Sequence, residues 1–321
     1  PGFLASVQFY KLLFGKNPYA ITAPTEASIG GITRAALQQF HQDYFLPNNQ
    51  GLIVITGDIT EARAHNLAEQ FFGGDAWKFG RPMPPPSPPV ANPANRRIYL
   101  VERPGSAQST ILLGSLGLTR TSPDYFSFRV ANQVLGGSFT SRLNDDLREE
   151  KGYTYGISSG NSAYRDLGAW TVSTDVRTAV TAPALKEILE QMDKMRAAAP
   201  SSQELAGAKN YISGNFVLGL ETQGQVASAM MTQGLYGLAP DWLATYVHSV
   251  SAVTGEEALA AAQQVIAPDH TLVVVVGDVK QIEAGLANLA PGTMMTIFND
   301  QGEVVGSYPP EKPAGGGKGR R

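Results

Sequence analysis

The stretch "SVSAVTGEEALAAAQQVIAPDHTLVVVVGDVKQIEAGLANL", residues 249–289, decides the fold because it lines up with an earlier stretch of the same chain. The earlier stretch is "SIGGITRAALQQFHQDYFLPNNQGLIVITGDITEARAHNLAEQF", residues 28–71. A shared Gly-Asp pair, at 277–278 and at 57–58, sets the offset at about 220 residues. A repeat of this length indicates a duplicated structural unit.

Each copy of the repeat predicts a helix, a strand and a second helix. The first helix begins after Thr33 or Thr254, either of which can cap it, and Thr254 with Glu257 forms a capping-box pattern. About 12 residues of helical periodicity follow, and Pro47 or Pro268 then ends the helix. The β-branched run that ends in Gly-Asp is typical of a buried strand, and helical periodicity resumes after it.

The first copy is the shorter one at its beginning. About 150 residues separate the Pro-rich stretch described below from Ser249, whereas only 27 residues precede Ser28. By this comparison we expect roughly 120 residues of the first copy to lie upstream of the sequence. The predicted fold class is α+β, with duplicated domains that are each a β-sheet backed by helices, the first copy being truncated at its N-terminus.

A Pro-rich stretch, "GRPMPPPSPPVANPAN", is the clearest boundary in the chain. It holds seven prolines in residues 80–95 and cannot enter a helix or a central strand. The predicted organisation is therefore the C-terminal part of a first domain (1–79), a linker (80–95), a complete second domain (96–292), and a terminal strand with a flexible basic tail (293–321).

The second domain predicts strands and helices in separate groups. Two strands flank a turn at Pro104-Gly105, and a later strand pair covers 153–164 and 168–178. The predicted helices are one opened by Ser122-Pro123-Asp124, with Pro at its first position, and others over 138–152, 182–198, 202–220 and 225–237.

Composition excludes several classes of function. The net charge of −3 arises from 25 basic and 28 acidic residues spread along the chain. Such a distribution gives no positive electrostatic field that would attract nucleic acid. The absence of Cys excludes disulfides, thiolate zinc sites and a cysteine nucleophile. Apolar runs such as "TLVVVVG" are far shorter than the roughly 20 residues of a membrane helix, so no membrane span is predicted.

The histidines do not form a recognisable metal motif. The chain has four, His41, His65, His248 and His270, and neither H-x-x-E-H nor a related spacing occurs. His65 and Glu69 could share a helix face, but a third ligand is missing, and a solvated helix face explains the pair. We expect no metal ligands in this chain.

A serine-hydrolase pattern, "GISSG", occurs at residues 156–160 and would make Ser158 the nucleophile. That pattern requires a sharp turn from a strand into a helix, whereas both flanks here are strand-like. An ordinary strand with small residues is the favoured interpretation.

A Gly-rich stretch, "LGGSFTSRL", resembles a phosphate loop at residues 135–143. It lacks the Lys and the preceding strand of such a loop. The pattern instead favours a helix that ends at Gly136-Gly137, with Ser138 or Thr140 capping the next helix.

A charged decapeptide, "LREEKGYTYG" at residues 147–156, carries the candidate binding residues. Arg148 would lie in the last turn of a helix that ends at Gly152, and Tyr155 would begin the next strand. The turn between them could bring an arginine fork and a phenol to one side, where both can donate hydrogen bonds to peptide carbonyl oxygens. A charged helix end with a packed tyrosine is the alternative.

Two long motifs together resemble the pitrilysin/insulinase-like zinc metallopeptidases. Residues 135–159, "LGGSFTSRLNDDLREEKGYTYGISS", resemble the signature of that family's second domain, an L-G-G and S-R-L segment followed by L-R-E-x-x-G-x-x-Y. Residues 13–59 are similar to the later part of its first domain. The resemblance runs from about Gly2 to Asn288.

This resemblance implies two homologous α+β domains that form a clam shell around a peptide. The family's first domain binds zinc through H-x-x-E-H and a distal Glu, and the Glu of the motif activates water. These residues would lie upstream of Pro1, so zinc is expected in the complete protein only if that motif is present. The family's second domain supplies an arginine and a tyrosine that bind substrate and stabilise the transition state, and these match Arg148 and Tyr155.

The resulting functional prediction is part of a zinc-dependent metalloendopeptidase, with this chain carrying the substrate-binding half and no catalytic zinc site. The first alternative is a noncatalytic member that supports an active partner, and the second is a peptide-binding or assembly module without a protease role. Expected partners are a peptide substrate and either a second copy or a catalytic subunit. The resemblance favours the bacterial periplasm or cell envelope.

Overall fold

The structure is a computed structural model that describes residues 1–45, 51–74 and 88–309. Pro47, residues 80–87 of the predicted linker and residues 310–321 of the predicted tail lie outside the described residues. The strands are β1 Arg97–Glu102, β2 Gln108–Leu116, β3 Thr154–Ala163, β4 Gly168–Arg177, β5 Leu272–Gly277, β6 Met295–Phe298 and β7 Val304–Tyr308.

The helices occur before the repeat, in both of its copies and between them. They are α1 Gly2–Phe14, α2 Glu26–Gly30, α3 Arg34–Tyr44, α4 Glu61–Phe72, α5 Tyr125–Leu135, α6 Arg142–Asn144, α7 Thr181–Ala197, α8 Ser202–Leu218, α9 Gln223–Tyr236, α10 Trp242–Ala252, α11 Gly255–Val265 and α12 Val279–Ala287, with a π-helical segment at Asp145–Glu150 after α6. No described helix combines the length and the apolar character that a bilayer-crossing segment requires.

The strands form one seven-stranded sheet in the order β3-β4-β2-β5-β1-β6-β7. β1 runs parallel to β5 and β6, and the other pairs are antiparallel. The central strand β5 is buried at every residue, as expected of a near-continuous apolar run covered on both faces. The predicted α+β class, a sheet backed by helices, is confirmed.

Both faces of the sheet are covered within one compact unit, which comprises residues 1–22, 89–208 and the described part of 253–321. On one face, Phe9 and Phe14 of α1 pack against Val274, Val276 and neighbouring apolar side chains. Side chains alternate along a strand, so Val273 and Val275 point to the other face. There α5, α7 and α11 contact one another, and α7 contacts β2 and β4.

A second compact unit contains the described part of residues 23–88 and residues 209–252. Its first-copy helix α3 begins after Thr33, whose hydroxyl accepts from the Ala36 amide, as predicted. In the other copy, Thr254 and Glu257 form the predicted capping box. The helix starts of the two copies are therefore alike.

The prediction of a strand in the first copy is wrong. Residues 51–60 form no strand, and the side chains of Leu52, Ile53 and Ile55 are 42–50% exposed. The only described hydrogen bond from a side chain of this segment to a distant residue joins Thr56 Oγ1 to the Gln223 carbonyl, at 3.2 Å. An extended run becomes a strand only when neighbouring strands satisfy its peptide groups, and the described residues supply none here.

Two predicted helix starts also differ from the structure. α5 begins at Tyr125 with Asp124 as its N-cap, so Pro123 precedes the helix and does not occupy its first turn. Ser141 is the N-cap of α6 and makes no side-chain cap bond, while Ser138 Oγ and Thr140 Oγ1 lie 3.4 Å from each other. The predicted end of α5 at Gly136 is confirmed.

Candidate functional site

Arg148 lies on a π-helical segment, not on the α-helix that the sequence predicts for residues 138–152. The segment continues α6, and its wider turns show in bonds from the Lys151 amide to the Asp146 carbonyl and from the Tyr153 amide to the Leu147 carbonyl. Leu147 is fully buried, which fixes the inner face of the segment. π-helical turns are rare and occur frequently at functional sites.

A polar network ties the π-helical segment to α7. The carboxylate of Asp146, almost fully buried, accepts a 2.7 Å hydrogen bond from Gln191 Nε2. Lys151 Nζ lies 3.0 Å from Glu187 Oε1 and 3.6 Å from Asp146 Oδ1. The hydrogen bond that Lys151 donates to Glu187, followed by the charge of Asp146, raises the pKa of Lys151, so this cation stays charged beside the segment.

The turn after the segment redirects the chain into the edge strand. Gly152 has a φ of +59°, a left-handed conformation that glycine adopts without strain, and β3 begins two residues later. Thr154 Oγ1 donates to the Asp175 carbonyl at 2.8 Å, and the Thr174 hydroxyl donates to Thr154 Oγ1 at 2.8 Å. These bonds hold the start of β3 against β4.

Tyr155 occupies an irregular step of β3, where the pairing register with β4 shifts between Thr154 and Ile157. Such a bulge re-aims the side chain that it carries. The Tyr155 side chain is 94% exposed, although the residues on either side of the bulge are bonded to β4. The strand therefore presents a phenol to solvent from a braced position.

Arg148 contacts two other side chains, those of Glu149 and Phe139. Its Nη1 atom donates to Glu149 Oε1 at 2.6 Å, and its guanidinium carbon lies 5.1 Å from the ring centre of Phe139. Phe139 is 69% exposed. Arg148 lies on the π-helical segment and Tyr155 on the strand that follows it, with no hydrogen bond between the two side chains, so a shared ligand would have to bridge two separate donors.

Two side-chain amides and one main-chain carbonyl cover the outer edge of β3 beyond Tyr155. The Asn144 side chain donates to the Ile157 carbonyl at 2.7 Å and accepts from the Ile157 amide at 3.3 Å. The Ser159 amide donates to the Gly136 carbonyl, and Asn132 Nδ2 donates to the Ser159 carbonyl, both at 2.9 Å. A peptide cannot add as a strand at Ile157 or Ser159, which leaves the Tyr155 end accessible.

The other candidate chemistries find no support in the geometry. Ser158 lies in the middle of β3, paired with Ser173 of β4, so it is not on a strand-to-helix elbow. Among residues 1–45, 51–74 and 88–309, no group of three or more His, Asp and Glu is placed to hold a metal ion. The donor set of the described residues does not fit a catalytic zinc ion.

Sequence patterns could not reveal several features of this site. The bulge at Tyr155 and the edge cover by Asn132 and Asn144 depend on contacts between distant segments. No local signal marks Asn144, because polar residues between Leu143 and Leu147 are what an amphipathic helix with apolar residues at i and i+4 contains. Nothing local to "NDDLREE" distinguishes a π-helical turn from an α-helical one.

Comparison with known proteins gives a family match. The family model described as peptidase M16 inactive domain matches residues 31–212. A protein named uncharacterized zinc protease SCO5738, from Streptomyces coelicolor, is 26% identical over 88% of this chain and 62% of its own length. The uncharacterized zinc protease YmxG of Bacillus subtilis is 26% identical over 78% of this chain and 59% of its own length.

A solved structure gives the same answer. The crystal structure of a peptidase M16 inactive domain from Pseudomonas fluorescens has a TM-score of 0.79 and 28% identity, over 86% of this chain and 66% of that one. The fold and these matches place the chain among peptidase-like α+β proteins. The chain belongs to the peptidase M16 inactive-domain family, because the family model matches more than half of it.

This result confirms the family that the sequence motifs indicated. The description of the matched domain as inactive agrees with the lack of an H-x-x-E-H motif in the sequence. The chain spans about 60% of the length of the two curated relatives.

Proposed function

We propose that this chain is the noncatalytic, substrate-binding half of a zinc-dependent peptidase, and that Arg148 and Tyr155 hold the peptide. The zinc-protease names of both curated relatives support the reaction class, and their greater length leaves room for a catalytic domain. The observation that carries the proposal is the braced exposure of Tyr155. A large ring that is 94% exposed, at a bulge fixed by Thr154 and Thr174, is available to a ligand without rearrangement of the strand.

The two side chains suit a peptide backbone chemically. Arg148 uses Nη1 for Glu149, and its other guanidinium N–H groups can donate to a carbonyl oxygen. The Tyr155 hydroxyl can donate to a second one. Donors aimed at a peptide carbonyl also stabilise the oxyanion that forms on it when water attacks, so the pair can assist a reaction whose nucleophile comes from elsewhere.

Peptide affinity of the chain itself tests the binding role. Fluorescence anisotropy with labelled peptides should show Kd rising about 10- to 100-fold for Arg148→Ala, because a charge-assisted hydrogen bond contributes about 1.5–3 kcal/mol. Tyr155→Phe should weaken binding by about tenfold. Tyr211→Phe is the matched control, since Tyr211 is also exposed, at 53%, but lies on α8. Unchanged affinity in both site variants would refute the role.

The second candidate is a noncatalytic subunit that supports an active partner, and the description of the matched family as inactive favours it. The two candidates differ in where the zinc motif resides. If H-x-x-E-H is encoded upstream in the same gene, the first applies; if it is encoded in a separate chain that restores peptide cleavage on mixing, the second does. Zinc at one ion per chain in the purified 321-residue protein, with chelator-sensitive cleavage, would contradict both.

We further propose that residues 80–95 separate a first domain, 1–79, from a second domain, 96–292, with 293–321 as its terminal extension. Limited proteolysis should cut first within 80–95, and preferred cutting inside 96–292 would argue against these boundaries.

A bacterial periplasmic or envelope location is proposed from family resemblance, and cell fractionation with a specific antibody tests it.

A further inference from the structure

An open cleft lies at the end of the sheet where α1 begins, within the compact unit that contains the sheet. Its volume is about 860 Å³, within the range of about 300–1,000 Å³ that is typical of ligand-binding clefts. Two residue pairs of the antiparallel strands β2 and β4 stand opposite each other at this end, so their side chains share one face of the sheet. They are Gln108 with Arg177 and Thr110 with Asp175, and Arg103 lines the cleft as well.

The turn that carries Arg103 is held in place by main-chain and side-chain hydrogen bonds. The Arg103 amide donates to the Gly277 carbonyl at 2.8 Å, and the Arg103 carbonyl accepts from the Ser106 amide at 3.2 Å. Thr178, which directly follows β4, donates from its hydroxyl to the Ser106 carbonyl at 2.7 Å and from its amide to the Ala107 carbonyl at 3.1 Å. The turn is thereby tied to the end of β4, so a ligand would not have to order this wall of the cleft when it binds.

Two positive charges without partners, those of Arg103 and Arg177, line this cleft. Both residues are exposed, and across residues 1–45, 51–74 and 88–309 neither guanidinium group makes a hydrogen bond, an ion pair or a ring contact. Other arginines of the same unit are engaged, as Arg142 is with the Glu204 carboxylate. A guanidinium group presents its N–H donors in a fork that matches a carboxylate. The cleft therefore offers accessible and unoccupied donors to an anion.

The acidic residue in the wall, Asp175, narrows the class of anion. Its Oδ1 atom accepts from Thr110 Oγ1, and its Oδ2 atom has no hydrogen bond to any described residue. A phosphate group carries a charge of about −1.5 to −2 at neutral pH and offers mainly acceptors, so a free carboxylate oxygen disfavours it. The same oxygen can accept from a peptide N–H group. A peptide with acidic side chains supplies both kinds of group, carboxylates for the arginines and an amide for Asp175.

We propose that this cleft binds an acidic segment of a peptide, with the guanidinium groups of Arg103 and Arg177 holding its carboxylates and Asp175 accepting from one of its amides. The inference goes beyond the role proposed for Arg148 and Tyr155 and does not depend on it, because neither of those residues lines the cleft. It gives the protein a second place that holds a peptide, and this one selects the peptide by its charge.

Two matched peptides test the preference: acetyl-Ala-Glu-Ala-Glu-Ala-amide and its neutral counterpart, acetyl-Ala-Gln-Ala-Gln-Ala-amide. Binding to the 321-residue protein is followed by NMR titration of the backbone amides of Gln108 and Arg177, with inorganic phosphate as a third probe. The acidic peptide should bind about tenfold or more tightly than the neutral one, because charge-assisted hydrogen bonds are stronger than neutral ones. This ratio should fall when NaCl is raised from about 50 to about 500 mM, since salt screens exposed charges.

Substitution of the two arginines provides the sharper test. Arg103→Gln and Arg177→Gln should each lower the affinity for the acidic peptide about three- to tenfold, and together they should remove its advantage over the neutral peptide. Neither side chain has a partner to lose, so Tm should hardly change in either variant. Arg97→Gln, at an exposed position of β1 outside the cleft, is the matched control and should change neither the affinities nor Tm.

Three outcomes would overturn the assignment. They are equal affinity for the acidic and the neutral peptide, an unchanged preference in the protein that carries both Arg103→Gln and Arg177→Gln, and inorganic phosphate that binds as tightly as the acidic peptide. Arg148→Ala separates this inference from the proposed function, because it should leave the ratio of the two peptide affinities unchanged. A loss of affinity for both peptides in Arg148→Ala would stand whatever the result at the cleft.

Discussion

The two copies of the repeat contain nearly the same strand sequence, yet only one copy forms a strand. "GLIVITGD" at 51–58 has no regular secondary structure, and its Leu52, Ile53 and Ile55 are 42–50% exposed, whereas "TLVVVVGD" at 271–278 contains β5, which is buried throughout. β5 lies between β1 and β2 and pairs with both. The comparison shows that a β-branched run specifies a strand only when the chain also supplies neighbours for its peptide groups.

The largest difference between the copies should appear when a charge is placed at equivalent positions. Val275→Asp buries a carboxylate in the central strand and should cost more than about 4 kcal/mol, enough to unfold the unit that contains it. Ile55→Asp, at the aligned and 42% exposed position, should cost less than about 1 kcal/mol. Urea unfolding followed by circular dichroism measures both. Equal damage would mean that residues 51–58 are also a buried strand in solution.

A smaller effect is expected in acid, which should lower the free energy of unfolding of the unit that contains the sheet. Arg142 donates from Nε and Nη2 to the Glu204 carboxylate at 2.6 and 3.0 Å, and this bond holds the pKa of Glu204 at about 2. Because the folded pKa lies below the unfolded one, the stabilisation is complete above about pH 5 and is lost as pH falls towards 2. Solvent screening limits it to about 1–2 kcal/mol, since both side chains are partly exposed.

The measurement is the urea midpoint reported by fluorescence of Trp170, which is fully buried in the same unit, in a protein whose Trp77 and Trp242 are replaced by Phe. Arg142→Met should lower the midpoint at pH 6 and should flatten its fall between pH 5 and pH 2.5. An unchanged pH dependence in Arg142→Met would show that other carboxylates cause the acid loss. Arg97→Met, at an exposed position on β1, provides the control.

The smallest difference is expected at the helix starts, where the copies agree. Thr254→Ala and Thr33→Ala each remove a hydroxyl that accepts an amide of the first helical turn, so each should cost about 1 kcal/mol in its own unit. Native-state hydrogen exchange at the capped amides resolves the two units separately. A much larger loss at Thr254 would mean that its capping box with Glu257 also supports the sheet beneath α11.

The features that the sequence predicted depend on residues close in sequence, and the features that it missed depend on distant segments. The caps at Thr33 and Thr254, the end of α5 at Gly136 and the strand order of local pairs such as β3-β4 depend on neighbours in sequence, and they were predicted correctly. The packing of α1 on β5, the π-helical segment and the bulge at Tyr155 depend on segments brought together by the fold. Periodicity carries no information about such partners.

The candidate site shows the same limit at the scale of single residues. The motif gave Arg148 and Tyr155 as a pair, but not that one rests on Phe139 and Glu149 while the other projects from a bulge.

The Asn144 side chain has a consequence for how the sheet ends. Its amide gives one donor and one acceptor to Ile157, the same two groups that a residue of an adjoining strand would give. One side chain thus takes the place of a neighbouring strand at this residue. The edge of the sheet is capped there by an uncharged amide, whereas charged residues and prolines are the common means of protecting an edge strand. A strand of another chain can pair with Ile157 only if the side chain of Asn144 first gives up its two hydrogen bonds.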